Sequence, residues 1–118
     1  MGTEPAETES LELVKGSLDV LILKTLSRGP AHGYAISRWL LHVTKNALRI
    51  EEGALYPALH RLEQRGWIAS EWGSSENNRR ARFYRLTPSG RRQLQKEVAD
   101  FERVMEGILC LMRPVRGR

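Results

Sequence analysis

The chain has 118 residues, 41% of them hydrophobic and 28% charged, with a formal net charge of +5, a size and balance that suit one globular domain with short appendages. No apolar run approaches the ~18–20 residues needed to cross a bilayer, and the acidic Met1–Ser10 stretch resembles neither a signal peptide nor a transit sequence, so no membrane association and a cytoplasmic address are expected. Cys110 is the single cysteine, which excludes an intrachain disulfide and a thiolate-rich zinc site, and its Leu109–Cys110–Leu111 setting reads as packing.

Residues 1–10 hold almost no apolar side chain and read as a disordered tail. From Leu11 to Leu26 the chain is strongly apolar, with Leu18, Leu21, Ile22 and Leu26 at helical spacing, Ser17 as N-cap and Asp19 in the first turn. Arg28–Gly29–Pro30 stops that helix, since glycine closes helices and proline cannot continue them. A second helix fits His32 to Val43, with Ile36, Leu40 and Val43 on one side, and Thr44–Lys45–Asn46 forms a polar joint after it. The third helix runs from Glu51 to Gln64 on a buried stripe of Leu55, Leu59 and Leu62, and Arg65–Gly66 ends it.

Two runs rich in aromatic and branched residues follow, Trp67–Trp72 and Ala81–Leu86, separated by the polar Gly73–Asn78 stretch. They predict a hairpin with a long, basic tip. Thr87 and Pro88 are an N-cap and a first helical residue, and the helix they start runs to Met112, where Arg113–Pro114 marks the stop. This order predicts a mainly α fold with a small β-hairpin: a winged helix-turn-helix over 11–87, a C-terminal dimerisation helix over 88–113, and a tail over 114–118.

Positive charge is concentrated rather than spread. Arg79, Arg80, Arg82, Arg85, Arg91 and Arg92 fall in one stretch with no acidic residue among them, the footprint of a surface facing phosphates. At the hairpin tip, Asn78, Arg79 and Arg80, with Arg82 just behind, suit a wing lying along a phosphate backbone or in a minor groove. On the third helix, Ala54, Pro57, Ala58, Arg61 and Arg65 form a second stripe of small residues ending in arginines, a low-profile front for a major groove. Taken alone, an ordinary exposed face fits that stripe equally well. Pro57 lacks a backbone donor and crowds the carbonyl of Gly53, so Gly53 to Pro57 reads as a shaped helix entrance.

Gly33–Tyr34, then Gly53–Ala54–Leu55–Tyr56–Pro57–Ala58–Leu59, then Arg61–Leu62–Glu63 with Gly66–Trp67–Ile68, and finally Tyr84–Arg85–Leu86–Thr87 with Gly90 resemble the PadR family, with similarity running from Leu11 to Gly90. The resemblance implies a dimeric winged-helix repressor whose grip on its operator, a stretch of double-stranded DNA, is set by an effector. It implies DNA-binding roles for Tyr34, Gly53, Ala54, Tyr56, Pro57, Ala58 and Arg61, together with Asn78, Arg79, Arg80 and Arg82. Many relatives carry threonine or serine where Ala54 stands, which removes one hydrogen bond to DNA. The single C-terminal helix matches the short branch of the family, so effector chemistry does not carry over from long-tailed members.

Within the last helix, Leu94, Val98, Phe101, Met105, Ile108 and Met112 recur at alternating spacings of four and three, a heptad seam. A helix of that length reaches about 38 Å, more than a small domain covers, so a second copy is the expected partner, alongside packing on the Leu11–Leu26 helix. Trp39, Trp67, Trp72 and Phe101 are candidates to line a dimer-interface pocket for a small, flat hydrophobic or aromatic effector, although each singly reads as packing. His32, His42 and His60 match no catalytic motif, and with one cysteine they are too few and too scattered for a metal site. No enzymatic activity, cofactor or metal is therefore expected. A metal-responsive repressor and a winged helix that binds protein are the alternatives, and the arginine-rich wing argues against the second.

Overall fold

In the computed structural model, which describes residues 18–113, helix α1 (Leu18–Leu26) is the element on which the others converge. Leu18, Val20, Ile22, Leu23 and Leu26 are all buried, leaving only narrow polar edges, and the helix touches α2 (Gly33–Val43), α3 (Glu52–Gln64), strand β3 (Arg80–Leu86) and α4 (Pro88–Met112). Asp19 stands in the first turn of α1 as expected. The Ser17 cap, the chain from Leu11 to Ser17 and both tails lie outside the described residues.

The other boundaries have local causes. His32 caps α2, its Nδ1 accepting from the Ala35 N–H at 3.2 Å. At the end of α3, Gly66 adopts φ +78°. The Trp67 and Gly66 amides then donate to the carbonyls of Leu62 and Glu63, a Schellman closure that needs a left-handed residue at that position. Thr87 caps α4 by accepting from the Gly90 N–H at 3.0 Å, with Pro88 in the first turn. Val43 departs from the expected buried stripe of α2: it is exposed, while Ile36 and Leu40 enter the core.

The hairpin is longer and its tip tighter than the sequence suggests. Strand β2 (Ile68–Ser74) pairs antiparallel with β3, and the ladder runs out to Ser74 opposite Arg80. Ser75 and Asn78 are joined by an i to i+3 backbone bond of 2.8 Å, and Asn78 takes φ +62°, a conformation asparagine tolerates. The expected Gly73–Asn78 loop is thus corrected to a turn over Ser75–Arg79, and Arg80 belongs to the strand. A two-residue strand β1 (Ala31–His32) pairs with the free side of β3, giving the order β1–β3–β2. Two residues are too short to carry a readable alternation, so only the open edge of β3 reveals this pairing.

Helix α4 has two different halves. Leu94 is buried, and Val98 and Phe101 pack against the core, as expected for a helix lying on α1. Beyond Phe101 the side chains are exposed, including Met105, Ile108, Leu111 and Met112. Cys110, read from its neighbours as a packing residue, is exposed in this half. Among the described residues no helix is long and apolar enough to cross a membrane.

Gly90 and Gly107 lie in the same helix under opposite constraints. A Cβ at Gly90 would stand 1.9 Å from the Trp67 carbonyl oxygen, whereas one at Gly107 meets nothing within 4 Å. Gly90→Ala is expected to lose about 3 kcal/mol of stability by forcing backbone apart. Gly107→Ala should gain about 0.5–1 kcal/mol from helix propensity. Urea denaturation of the two variants checks both signs.

Candidate nucleic-acid interface

The leucine stripe determines which sides of α3 remain available. Leu55, Ala58, Leu59 and Leu62 are buried. At about 100° per residue the opposite side of the helix is Gly53, Tyr56, Pro57, His60 and Gln64, all exposed. Pro57, expected on an exposed stripe, is on this side. Ala58 is not: its exposure is 0%, so it is corrected from an exposed front to a core residue. Ala54 is half-buried against the same core. His60 and Gln64 are exposed residues that the motif reading missed, although the position opposite the leucines already indicated them.

Arg61 and Arg65 lie toward the flank of α3 that meets α1. The Arg61 guanidinium donates to Asp19 Oδ1 at 2.7 Å, and Arg65 stands 3.9 Å from Oδ2 of the same carboxylate. This corrects the placement of Arg61 in the exposed front. A pairing across 42 residues of sequence leaves no local trace.

The N-terminal part of α2 completes this surface. Tyr34 is 62% exposed, with Arg38 one turn later and its guanidinium 5.8 Å from the Tyr34 ring. The Tyr56 ring covers Gly33 so closely that a Cβ there would lie 2.6 Å from its hydroxyl oxygen. The start of α2 and the exposed side of α3 meet at this contact.

On the wing, alternate residues share a face. Ser70, Trp72 and Ser74 of β2 stand opposite Tyr84, Arg82 and Arg80 of β3. Asn78, Arg79 and Arg80 are exposed at the tip, and Arg80 lies 4.6 Å from the centre of the Trp72 ring. Arg82 is directed back toward α3: its Nε donates to Ser70 Oγ at 2.9 Å, and its terminal nitrogen is 3.7 Å from Glu63 Oε2. Beside this group, burial raises the Tyr84 hydroxyl pKa above the ordinary tyrosine value; Arg82 pulls it down, while Glu63 and Tyr56 push it up.

The four aromatic residues considered for an effector pocket have separate surroundings. Trp39 lies under the Arg28 guanidinium at 3.5 Å, in an open cleft of about 560 Å³ that also takes in Tyr34, Arg38, His42 and Glu76. Trp72 is on the wing, Trp67 lies beneath Arg65, and Phe101 packs at the core edge. His32 is a cap that also faces Glu76 at 3.8 Å. Among the described residues no group of three or more His, Cys, Asp and Glu side chains is placed to hold a metal ion.

Similarities to a family profile, to one relative and to two solved structures bear on this geometry. The profile of the Transcriptional regulator PadR-like family matches residues 22–96, from within α1 into α4. The chain is 31% identical over 99 residues to Transcriptional regulator Rv3488 of Mycobacterium tuberculosis, covering 83% of this chain and 88% of that one. Among solved structures, a transcriptional regulator from Clostridium thermocellum superposes with a TM-score of 0.78 at 31% identity, over 86% of this chain and 99% of its own. A PadR family transcriptional regulator from Eggerthella lenta gives 0.74 at 33% identity, over 95% and 96%.

The Arg61–Asp19 pair yields a test of bracing. Arg61→Ala is expected to cost about 1 kcal/mol of folding stability, and Asp19→Ala should cost less in that variant than in the parent, because the interaction shared with Arg61 is already gone. A double-mutant cycle by urea denaturation measures that coupling.

Proposed function

The chain belongs to the PadR-like family of transcriptional regulators, and we propose that it binds a pseudo-palindromic DNA operator as a homodimer, acting as a repressor whose hold is modulated by a small hydrophobic or aromatic effector. The observation that carries the DNA-binding reading is Gly53. It is exposed at the entrance of α3, a Cβ there would meet nothing within 4 Å, and its backbone is not in the left-handed region. Neither packing nor backbone conformation asks for glycine. A helix that must bring its backbone close to base edges does.

In this reading Gly53, Tyr56, Pro57, His60 and Gln64 face the major groove, and Tyr34 and Arg38 flank it. Asn78, Arg79 and Arg80 follow the phosphates or the minor groove. Arg61 and Ala58 support α3 from behind.

The homodimer reading rests on the distal half of α4. Met105, Ile108 and Met112 continue the seam of Leu94, Val98 and Phe101 past the point where the core stops covering it. A symmetric copy would bury this surface, and a two-fold axis would place two copies of α3 on half-sites whose centres lie about 34–36 Å apart, or a multiple of that spacing. For an effector, the cleft beneath Trp39 has aromatic walls suited to a flat molecule.

Two measurements test these points. Gly53→Leu is expected to fold at least as stably as the parent by thermal melting, and to bind operator fragments at least tenfold more weakly, since about 1.4 kcal/mol of steric cost is a factor of ten. Parental affinity for DNA in that variant overturns the placement of α3 in the groove. Light scattering tests the dimer: Ile108→Glu with Met112→Glu should yield monomer with the core intact. Phe101 is unsuitable for that purpose because it also packs within the chain.

A further inference from the structure

The carboxylate of Glu63 is out of place on a surface proposed to face phosphates, since an anion there weakens DNA binding unless it does something else. Its surroundings show what it touches. Ser70 Oγ donates to Glu63 Oε2 at 2.7 Å, Arg82 Nε donates to that same Ser70 oxygen at 2.9 Å, and the Arg82 terminal nitrogen stands 3.7 Å from Glu63 Oε2. These side chains come from α3, β2 and β3 and form a closed polar triangle. Around it are His60 and Gln64, which with Glu63 and Arg82 line a small cleft between α3 and the wing.

From the triangle the connected side chains continue outward. Trp72 is 55% exposed, paired across the strands with Arg82, and its ring lies 5.7 Å from the Arg82 guanidinium carbon and 4.6 Å from that of Arg80. A large exposed aromatic gains little by burial in this position. It instead gives two flexible arginines a flat surface to lie against. The sequence from Glu63 through Ser70, Arg82 and Trp72 to Arg80 thus runs without a break from the side of α3 to the wing tip.

We infer that Glu63 is a positioning residue, which fixes the wing relative to α3 by holding Arg82 through Ser70, so that Arg80 and Arg79 reach the DNA backbone while α3 occupies the groove. This rests on the proposed DNA interface and assigns Arg82 a bracing role within it. Long arginines on a two-stranded ribbon are costly to order on binding, and a wing already held at its angle removes part of that cost.

The sign of one substitution separates positioning from simple charge. If Glu63 contributes only its negative charge, Glu63→Ala and Glu63→Gln both tighten DNA binding, and Ser70→Ala, which changes no charge, does nothing. Positioning predicts otherwise. Glu63→Ala and Ser70→Ala should each weaken operator binding on the order of five- to tenfold, the range of coupling through a shared network, and flatten the logarithmic salt slope by about 0.9 for each phosphate that the wing no longer engages. Glu63→Gln keeps an acceptor for the Ser70 hydroxyl and should bind at least as well as the parent, despite losing the same charge as Glu63→Ala.

The experiment titrates the full-length parent and the three variants, each checked for a parental thermal melt, against an operator-containing genomic fragment and a scrambled duplex at several salt concentrations. Tightening by Glu63→Ala with a silent Ser70→Ala overturns the inference while leaving the DNA-binding reading intact. A parent protein that binds no genomic fragment overturns both.

Discussion

The close approach of the first turn of α4 to the turn between α3 and β2 is the constraint on which the other parts depend. Four chain segments meet there: the end of α3, the start of β2, the end of β3 and the start of α4. The Gly66 carbonyl accepts from the Thr87 hydroxyl at 2.7 Å, and the Trp67 carbonyl accepts from the Thr87 amide at 3.1 Å. Gly90 leaves no side chain between the helix and the Trp67 carbonyl. Without that approach the Schellman turn would close α3 but would not orient the hairpin. The hairpin's register with Leu86 opposite Ile68 would likewise not determine the direction in which α4 departs. Carbonyls in a tight turn need donors, and those of Gly66 and Trp67 receive theirs from Thr87, the N-cap of the element that must be aimed.

From that joint α4 extends for 25 residues, about 38 Å. Its first half is held on α1 and the core edge by Leu94, Val98 and Phe101. The exposed half is the continuation of a rigid rod whose direction is already decided by the joint. In the proposed dimer the separation of the two α3 helices is therefore not set by the seam alone. It follows from the seam together with the angle at which α4 leaves Thr87. A ligand that altered how two distal halves pack would be felt at the half-site spacing through the same rod.

The arginines of this chain divide by what holds them. Arg61 and Arg65 share Asp19, Arg82 is held by Ser70 and Glu63, and Arg28 lies on Trp39. Asn78, Arg79 and Arg80 project at the wing tip. A guanidinium paired with a carboxylate from another element, as those of Arg61 and Arg82 are, acts first as part of the frame. Surface ion pairs are individually weak, but each of these joins elements distant in sequence, where a modest preference decides an angle.

By itself, the sequence determined the elements whose causes are local. Thr87–Pro88 opened α4, Gly66 closed α3, the leucines at helical spacing selected the buried side, and the density of arginines near residue 80 marked the wing. These depend on capping, backbone freedom and periodicity, which act within a few residues and so can be read along a line. The family motifs carried the winged-helix order with them. Tertiary structure alone decided which flank of α3 turned toward α1, because Asp19 and Arg61 are 42 residues apart. The burial of Ala58, the pairing of β1 with β3 and the point past Phe101 where the heptad seam leaves the core were settled in the same way. Charge pairing, edge completion and the extent of a neighbouring surface are relations between distant segments, and they exist only once the chain has brought those segments together.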